Sequence, residues 1–326
     1  MKSSRTSLRP LGAGLLLCLT ACAALAAENP AKKESPLPKV PDTVVLERDV
    51  EYGKAGDQHL FLDVVRPKKA SDRPRPVVVF IHGGGWGGGD KRDTLGTLLV
   101  AADRHDYIGF AVNYRLSGEA PWPAQINDCK TAIRWIKSQA ATYHLDPEKV
   151  AVWGHSAGGH LVALLGTTGK IGAFDGTNGL RDVSLRVTCV VDWAGPTDFL
   201  NWPADGMSTN RNSGLCKMLG GTLREARDVA CVASPVTHVS SDAAPFLIMH
   251  GTQDMLVPIT QAETLATALE KANVPVTFVR LAGGGHSIIG AEANNRVYAF
   301  LDKCLCGRDV TVSSETIIAP PEPKQK

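Results

Sequence analysis

Apolar residues in this chain gather, from about residue 44 onward, into short blocks that follow two different spacings. Val77-Val-Val-Phe-Ile81 and Gly109-Phe-Ala-Val-Asn-Tyr114 are short, largely unbroken apolar runs, the pattern of strands buried on both faces. Arg186 to Trp193, Pro245 to Met249 and Val276 to Leu281 read the same way. Between and after them, Thr94 to Arg104, Gln261 to Ala272 and Asn294 to Cys304 read as helices. Ala124 to Tyr143 is the clearest, because Ile126, Cys129, Ile133, Ile136 and Ala140 recur at three- and four-residue steps on one face. Val44 to Val50 and Leu60 to Val65 predict an opening antiparallel pair that turns near Gly53-Lys-Ala-Gly56. Strands that alternate with helices predict one α/β domain over residues 44–307, a mostly parallel central sheet with helices on both faces.

The two ends follow other rules. Lys2, Arg5 and Arg9 precede an apolar core from Leu11 to about Ala27, and no acidic residue occurs before Glu28. That order describes an export signal over residues 1–26, with the mature protein periplasmic or extracellular. Two cleavage sites compete: Ala24-Leu25-Ala26 has the small-x-small form, whereas Leu19-Thr20-Ala21-Cys22 resembles a lipobox, which would put a lipid on Cys22 and make the protein an outer-membrane lipoprotein. Residues 27–43 form a Pro- and Lys-rich arm, and 308–326 read as a disordered tail. The formal charge of +2 leaves no footprint for a nucleic-acid partner.

Candidate chemistry centres on Lys149-Val-Ala-Val-Trp-Gly-His-Ser-Ala-Gly-Gly-His160, a strand, a sharp turn and the start of a helix. Gly154-x-Ser156-x-Gly158 within it is a nucleophile-elbow pattern, in which small residues let the chain reverse so tightly that the serine hydroxyl stands clear of the sheet. A serine hydroxyl is a poor nucleophile at neutral pH, so it needs a base and a third group to hold that base. His286, after Ala282-Gly-Gly-Gly285, is the candidate base. Asp254, in His250-Gly-Thr-Gln-Asp254, is the candidate acid, with Asp198 as its rival. Phe80-Ile-His-Gly-Gly-Gly-Trp86 supplies the candidate oxyanion hole: the backbone N–H groups of Gly84 and Gly85, with that of Ala157.

His82-Gly-Gly-Gly-Trp86, Gly154-His-Ser-Ala-Gly158, Asp254 and His286 together resemble the α/β-hydrolase fold. Within it the chain is similar to hormone-sensitive-lipase-like carboxylesterases and to bacterial feruloyl and acetyl esterases. The similarity runs from about Val44 to Cys304 and takes in Tyr114-Arg-Leu-Ser117, Gly195-Pro-Thr-Asp198 and Ser234-Pro-Val-Thr-His238. The resemblance implies a serine hydrolase acting on carboxylic esters through an acyl-enzyme, with no cofactor. Its implied substrates are short-chain acyl or feruloyl esters of small molecules or oligosaccharides. The N-terminal arm is too short for the helical cap usual in the hormone-sensitive-lipase group, so the smaller feruloyl/acetyl type fits better. A prolyl-oligopeptidase-like peptidase and a non-catalytic binding protein on the same fold remain the alternatives.

Trp86, Trp122 and His155 are candidate substrate contacts, with simple packing as the alternative for each. The glycine loop also satisfies Gly-x-Gly-x-x-Gly, but Asn113 to Arg115 lacks the acidic residue a dinucleotide site needs. Cys/His/Asp spacing fits no zinc site, so no metal is expected. Cys129 and Cys189 fall on buried faces and read as free thiols. Cys216 and Cys231 flank a polar stretch in the insertion between Phe199 and His238, which makes them the candidate disulfide. The insertion itself reads as a polar lid or rim, with Trp202, Met207 and Leu215 as isolated apolar residues.

Overall fold

Each doubly buried run becomes a strand because its side chains alternate between two separate apolar layers. In the computed structural model, which describes residues 37–169, 174, 180–288 and 290–319, the strands are β1 (Val44–Ala55), β2 (Gln58–Pro67), β3 (Arg75–Ile81), β4 (Ile108–Val112), β5 (Leu145–His155), β6 (Cys189–Trp193), β7 (Phe246–Gly251), β8 (Val276–Ala282) and β9 (Ile317–Ile318). They pair in the order β1-β2-β4-β3-β5-β6-β7-β8-β9. β2 is antiparallel to both β1 and β4, and every later pairing is parallel.

The alternation can be followed residue by residue. Val77, Val79, Ile81, Val150 and Val152 point to one face. There they meet α2 (Ala124–Ser138), α4 (Ala157–Thr167) and α8 (Thr260–Lys271). Val78, Phe80, Ala151, Trp153 and Val191 point to the other, against α1 (Leu95–His105) and α9 (Ala291–Cys306). The long periodic stretch after Ala124 is broken at Gln139, with α3 (Ala140–Tyr143) following and His144 ending it in the left-handed region.

A third, smaller apolar cluster lies over the C-terminal ends of the strands. It is built by α5 (Gly206–Thr209), α6 (Gly214–Leu219) and α7 (Arg227–Ala233) from the insertion. Two expectations are corrected here. Trp202 and Leu215 are not isolated: with Met218, Leu219 and Ala230 they pack into this cluster, and Met207 lies partly buried against it. The reason is spacing, since Leu215, Met218 and Leu219 share one helical face. The tail is not disordered as far as Ala319: Ile317 and Ile318 add an edge strand beside β8, and Ala319 N–H donates to Ala282 O. Ile317 and Ile318 are β-branched and can pair with the open β8 edge despite the polar composition around them. Residues 320–326 and the proposed signal, including Cys22, lie outside the described residues, as does the arm before residue 37. Among the described residues no helix is long and apolar enough to cross a membrane.

Candidate active site

Parallel strands deliver their C-terminal ends to one edge of the sheet, and the loops leaving those ends assemble the site. Ser156 follows β5 directly with φ 58° and ψ −122° and caps α4, a conformation that costs an L-residue roughly 1–3 kcal/mol. Its N–H donates to Trp193 O on β6 (2.8 Å), and its carbonyl accepts from His160 N (3.0 Å), so strand and helix hold the turn from both sides. Gly158 makes the turn possible: a Cβ there would lie 2.0 Å from Ile81 O.

The glycine loop leaves the neighbouring strand β3 and runs against the elbow. A Cβ on Gly83 would stand 2.9 Å from His155 O and 3.2 Å from Ser156 Cβ. Gly84 and Gly85 have φ of 111° and 56°, and their N–H groups donate to no other group among the described residues. Ala157, buried, is the first residue of α4. His82 supports this loop, stacking on Tyr114 at 4.5 Å between ring centres, while Tyr114 O–H donates to His82 O.

Asp254 and His286 come from the loops after β7 and β8. Asp254 Oδ2 accepts from His286 Nδ1 at 2.7 Å and lies 3.2 Å from His250 Nε2, while Oδ1 accepts from Leu256 N and Val257 N at 2.8 and 2.9 Å. Burial by itself would raise this carboxyl, but hydrogen bonds from His250, His286 and Val257 N–H outweigh it and hold the group well below the usual carboxylate range. With Nδ1–H given to Asp254, Nε2 of His286 keeps its lone pair. His155, next to Ser156, packs against His286 with ring centres 4.8 Å apart and planes tilted by 45°, and donates Nε2–H to His286 O at 2.8 Å. Burial pushes His155 down, which favours its neutral form.

Asp198, the rival acid, is elsewhere: its carboxylate accepts from Leu200 N and Asn201 N and so caps the turn that opens the insertion. Trp86 is corrected from a pocket wall to a packed core residue. It is 1% exposed, its Nε1–H donates to His160 Nδ1 at 3.1 Å, and it packs edge-on against Phe199. The indole was drawn inward because its N–H finds a buried acceptor there. Trp122 stays partly exposed between Phe174 and His160.

The proposed Cys216–Cys231 bridge is also corrected, since both are free thiols. Cys216 sits on the buried face of α6 with Sγ against the carbonyls of Met207 and Ser208, whereas Cys231 lies half-buried on α7. Two residues missed in the sequence are His250 and Asp192, both fully buried beneath the elbow. Their signal was there: each is a polar break in an otherwise apolar strand, Cys189-Val-Val-Asp-Trp193 and Phe246-Leu-Ile-Met-His-Gly251.

Comparison with known proteins bears on the family and the fold. Residues 62–269 match the family model described as BD-FAE. The chain is 35% identical over 236 residues to the "Probable carboxylic ester hydrolase LipM" of Mycobacterium tuberculosis, covering 72% of this chain and 54% of that one. With the "Esterase LipQ" of the same organism it shares 29% over 258 residues, 77% of this chain and 59% of the relative. The chain thus spans little more than half the length of these curated relatives. A solved structure described as "Truncated form of carbohydrate esterase from gut microbiota" superposes with a TM-score of 0.71 at 29% identity, covering 82% of this chain and 100% of that one. The chain belongs to the BD-FAE family and has the α/β-hydrolase fold.

Proposed function

We propose that this protein is an exported, serine-dependent carboxylic-ester hydrolase that works through an acyl-enzyme, on short-chain acyl or feruloyl esters of carbohydrates. The observation that carries the reading is the 2.7 Å Asp254–His286 hydrogen bond, delivered to the same sheet edge as a strained Ser156 and the glycine loop. Ser156 Oγ attacks the ester carbonyl as Nε2 of His286 takes its proton, and the imidazolium so formed is stabilised by Asp254. The N–H groups of Ala157, Gly84 and Gly85 receive the oxyanion, each such donor contributing about 10²–10³ in rate in comparable sites. His286 then protonates the leaving alcohol, and water releases the acid by the same steps in reverse order.

The names of the relatives support ester hydrolysis, and the carbohydrate-esterase neighbour supports a sugar-linked substrate. The basic and apolar N-terminus supports export, with Cys22 the residue that would carry a lipid. A fluorophosphonate reagent, followed by peptide mapping, tests the mechanism: it labels Ser156, and Ser156→Ala loses both labelling and hydrolysis of p-nitrophenyl acetate while remaining folded. Labelling that persists in Ser156→Ala overturns the assignment. Acetylated xylo-oligosaccharides and methyl ferulate, assayed alongside, test the substrate class.

A further inference from the structure

Four residues before Asp254, in an otherwise apolar strand, lies an imidazole that the mechanism above does not use. His250 on β7 is fully buried. Its Nε2 is 2.8 Å from Val257 O and 3.2 Å from Asp254 Oδ2. Both neighbours are acceptors, so Nε2 carries the hydrogen and shares it between them. Val257 in turn donates its own N–H to Asp254 Oδ1, so the ring closes the 254–257 turn upon itself. The other ring nitrogen, Nδ1, has no hydrogen-bond partner among the described residues, and the same is true of Oδ2 of Asp192 on the adjacent strand. A histidine kept for packing alone would have both nitrogens satisfied, or would be apolar like its neighbours Leu247, Ile248 and Met249. Here the one directed contact of a buried polar ring is to the turn that carries the triad acid.

We infer that His250 is a positioning residue for the triad: by sharing Nε2–H between Val257 O and Asp254 Oδ2 it fixes the Asp254 carboxylate and, through it, the orientation of the His286 ring. This rests on the assignment of Asp254 as the triad acid. Oδ2 is the oxygen that serves His286, and His250 is the second donor on that oxygen. Without His250 the remaining hydrogen bond on Oδ2 is the one from His286 itself, so that oxygen has no anchor independent of the ring it must orient, and only the two backbone N–H groups on Oδ1 resist rotation of the carboxylate. A misplacement of about 1 Å in such an arrangement costs on the order of 10²-fold in rate.

The test compares His250→Gln, whose amide N–H reaches the place of Nε2, with His250→Asn, whose amide falls near Nδ1. Both are made in the full chain and checked for folding by circular dichroism and melting. Turnover of p-nitrophenyl acetate should fall about 10²-fold in His250→Asn with KM within about twofold, and His250→Gln should recover at least about tenfold of that loss. The low-field proton NMR signal of His286 Nδ1–H, assigned by its loss in His286→Gln, should stay in place in His250→Gln and shift or broaden in His250→Asn. Equal kcat in the two variants, or an unmoved signal in His250→Asn, overturns the inference. Should His250→Asn not fold, His250→Gln decides alone: near wild-type kcat with an unmoved signal supports it, and a loss of about 10²-fold overturns it. A wild-type protein without ester hydrolysis or Ser156 labelling overturns the proposed function instead, and the NMR comparison, which needs no substrate, still decides the role of His250.

Discussion

Asp192 and His160 are two buried titratable residues packed around the elbow, and they pull stability in opposite directions with pH. Burial pushes the Asp192 carboxyl up from 3.8 to about 6, with His250 and the Gly195 N–H offsetting only part of the effect. Because the folded chain keeps this proton longer than the unfolded one, stability falls as pH rises from about 3.8 to 6, by on the order of 3 kcal/mol. His160 is neutral between Trp86 Nε1–H and Ala233 O, and burial pushes it down from 6.5 to about 4. Its contribution is complete above about pH 6.5 and is lost as pH falls toward 4. Asp192→Asn removes the first slope and leaves the second. The melting temperature of the variant minus that of the wild type should therefore climb from pH 4 to pH 6, and a difference that stays flat across that range contradicts the argument. Neither residue stood out in the sequence: Asp192 is marked only as a polar break in the apolar run of β6, and His160 lies in α4, which is buried along its whole length and so has no polar face for a histidine to depart from. Ser156, Asp254 and His286 were legible because their chemistry requires fixed residue types at strand ends in one chain order.

The elbow was readable as an element because it is defined by local backbone. Strand, Gly154, Ser156, Gly158 and helix must follow one another in the sequence for the turn to exist. The same geometry makes a sharp prediction. A Cβ at Gly158 meets backbone atoms of Ile81 and His82 at 2.0 to 2.8 Å, and backbone in a central strand has nowhere to go. Gly158→Ala should lower the melting temperature and slow fluorophosphonate labelling of Ser156 by at least about tenfold. Gly96→Ala is the matched control: that glycine is exposed in α1 with nothing within 4 Å of its Cβ position, and the change should stabilise by roughly 0.5–1 kcal/mol. Equal labelling rates for the two variants would falsify the steric account. The insertion was less legible than the elbow. Its three short helices run for only four to seven residues each, too few for periodicity to stand out from composition. The free thiols of Cys216 and Cys231 follow from the same blindness: proximity in a polar stretch says nothing about which face of a helix each cysteine takes.

At the scale of the whole molecule, the distribution of apolar surface decides which acyl groups the site can hold. Two large clusters cover the faces of the sheet, and the third joins the insertion to the glycine loop, the elbow and the 254–257 turn through Trp86, Ala157 and Val257 respectively. Trp202, Leu215, Met218 and Leu219 are therefore engaged with one another beneath the rim. Of the large apolar side chains exposed among the described residues, Met255 (91%) and Leu256 (54%) directly follow Asp254. Two such side chains offer a patch for a few methylenes, whereas a long chain needs a continuous wall on every side. Each buried methylene contributes about 0.8 kcal/mol only when water is excluded from it, so lengthening an acyl group beyond that patch adds little binding and leaves apolar surface exposed. The expected order of kcat/KM for p-nitrophenyl esters is thus acetate to butyrate above decanoate and palmitate. Met255→Ser should lower kcat/KM for butyrate more than for acetate, because the longer group makes the larger contact with that patch. A maximum at about ten carbons or more would mean that the rim opens to form an apolar tunnel, and the open-cleft account of the insertion would then fail.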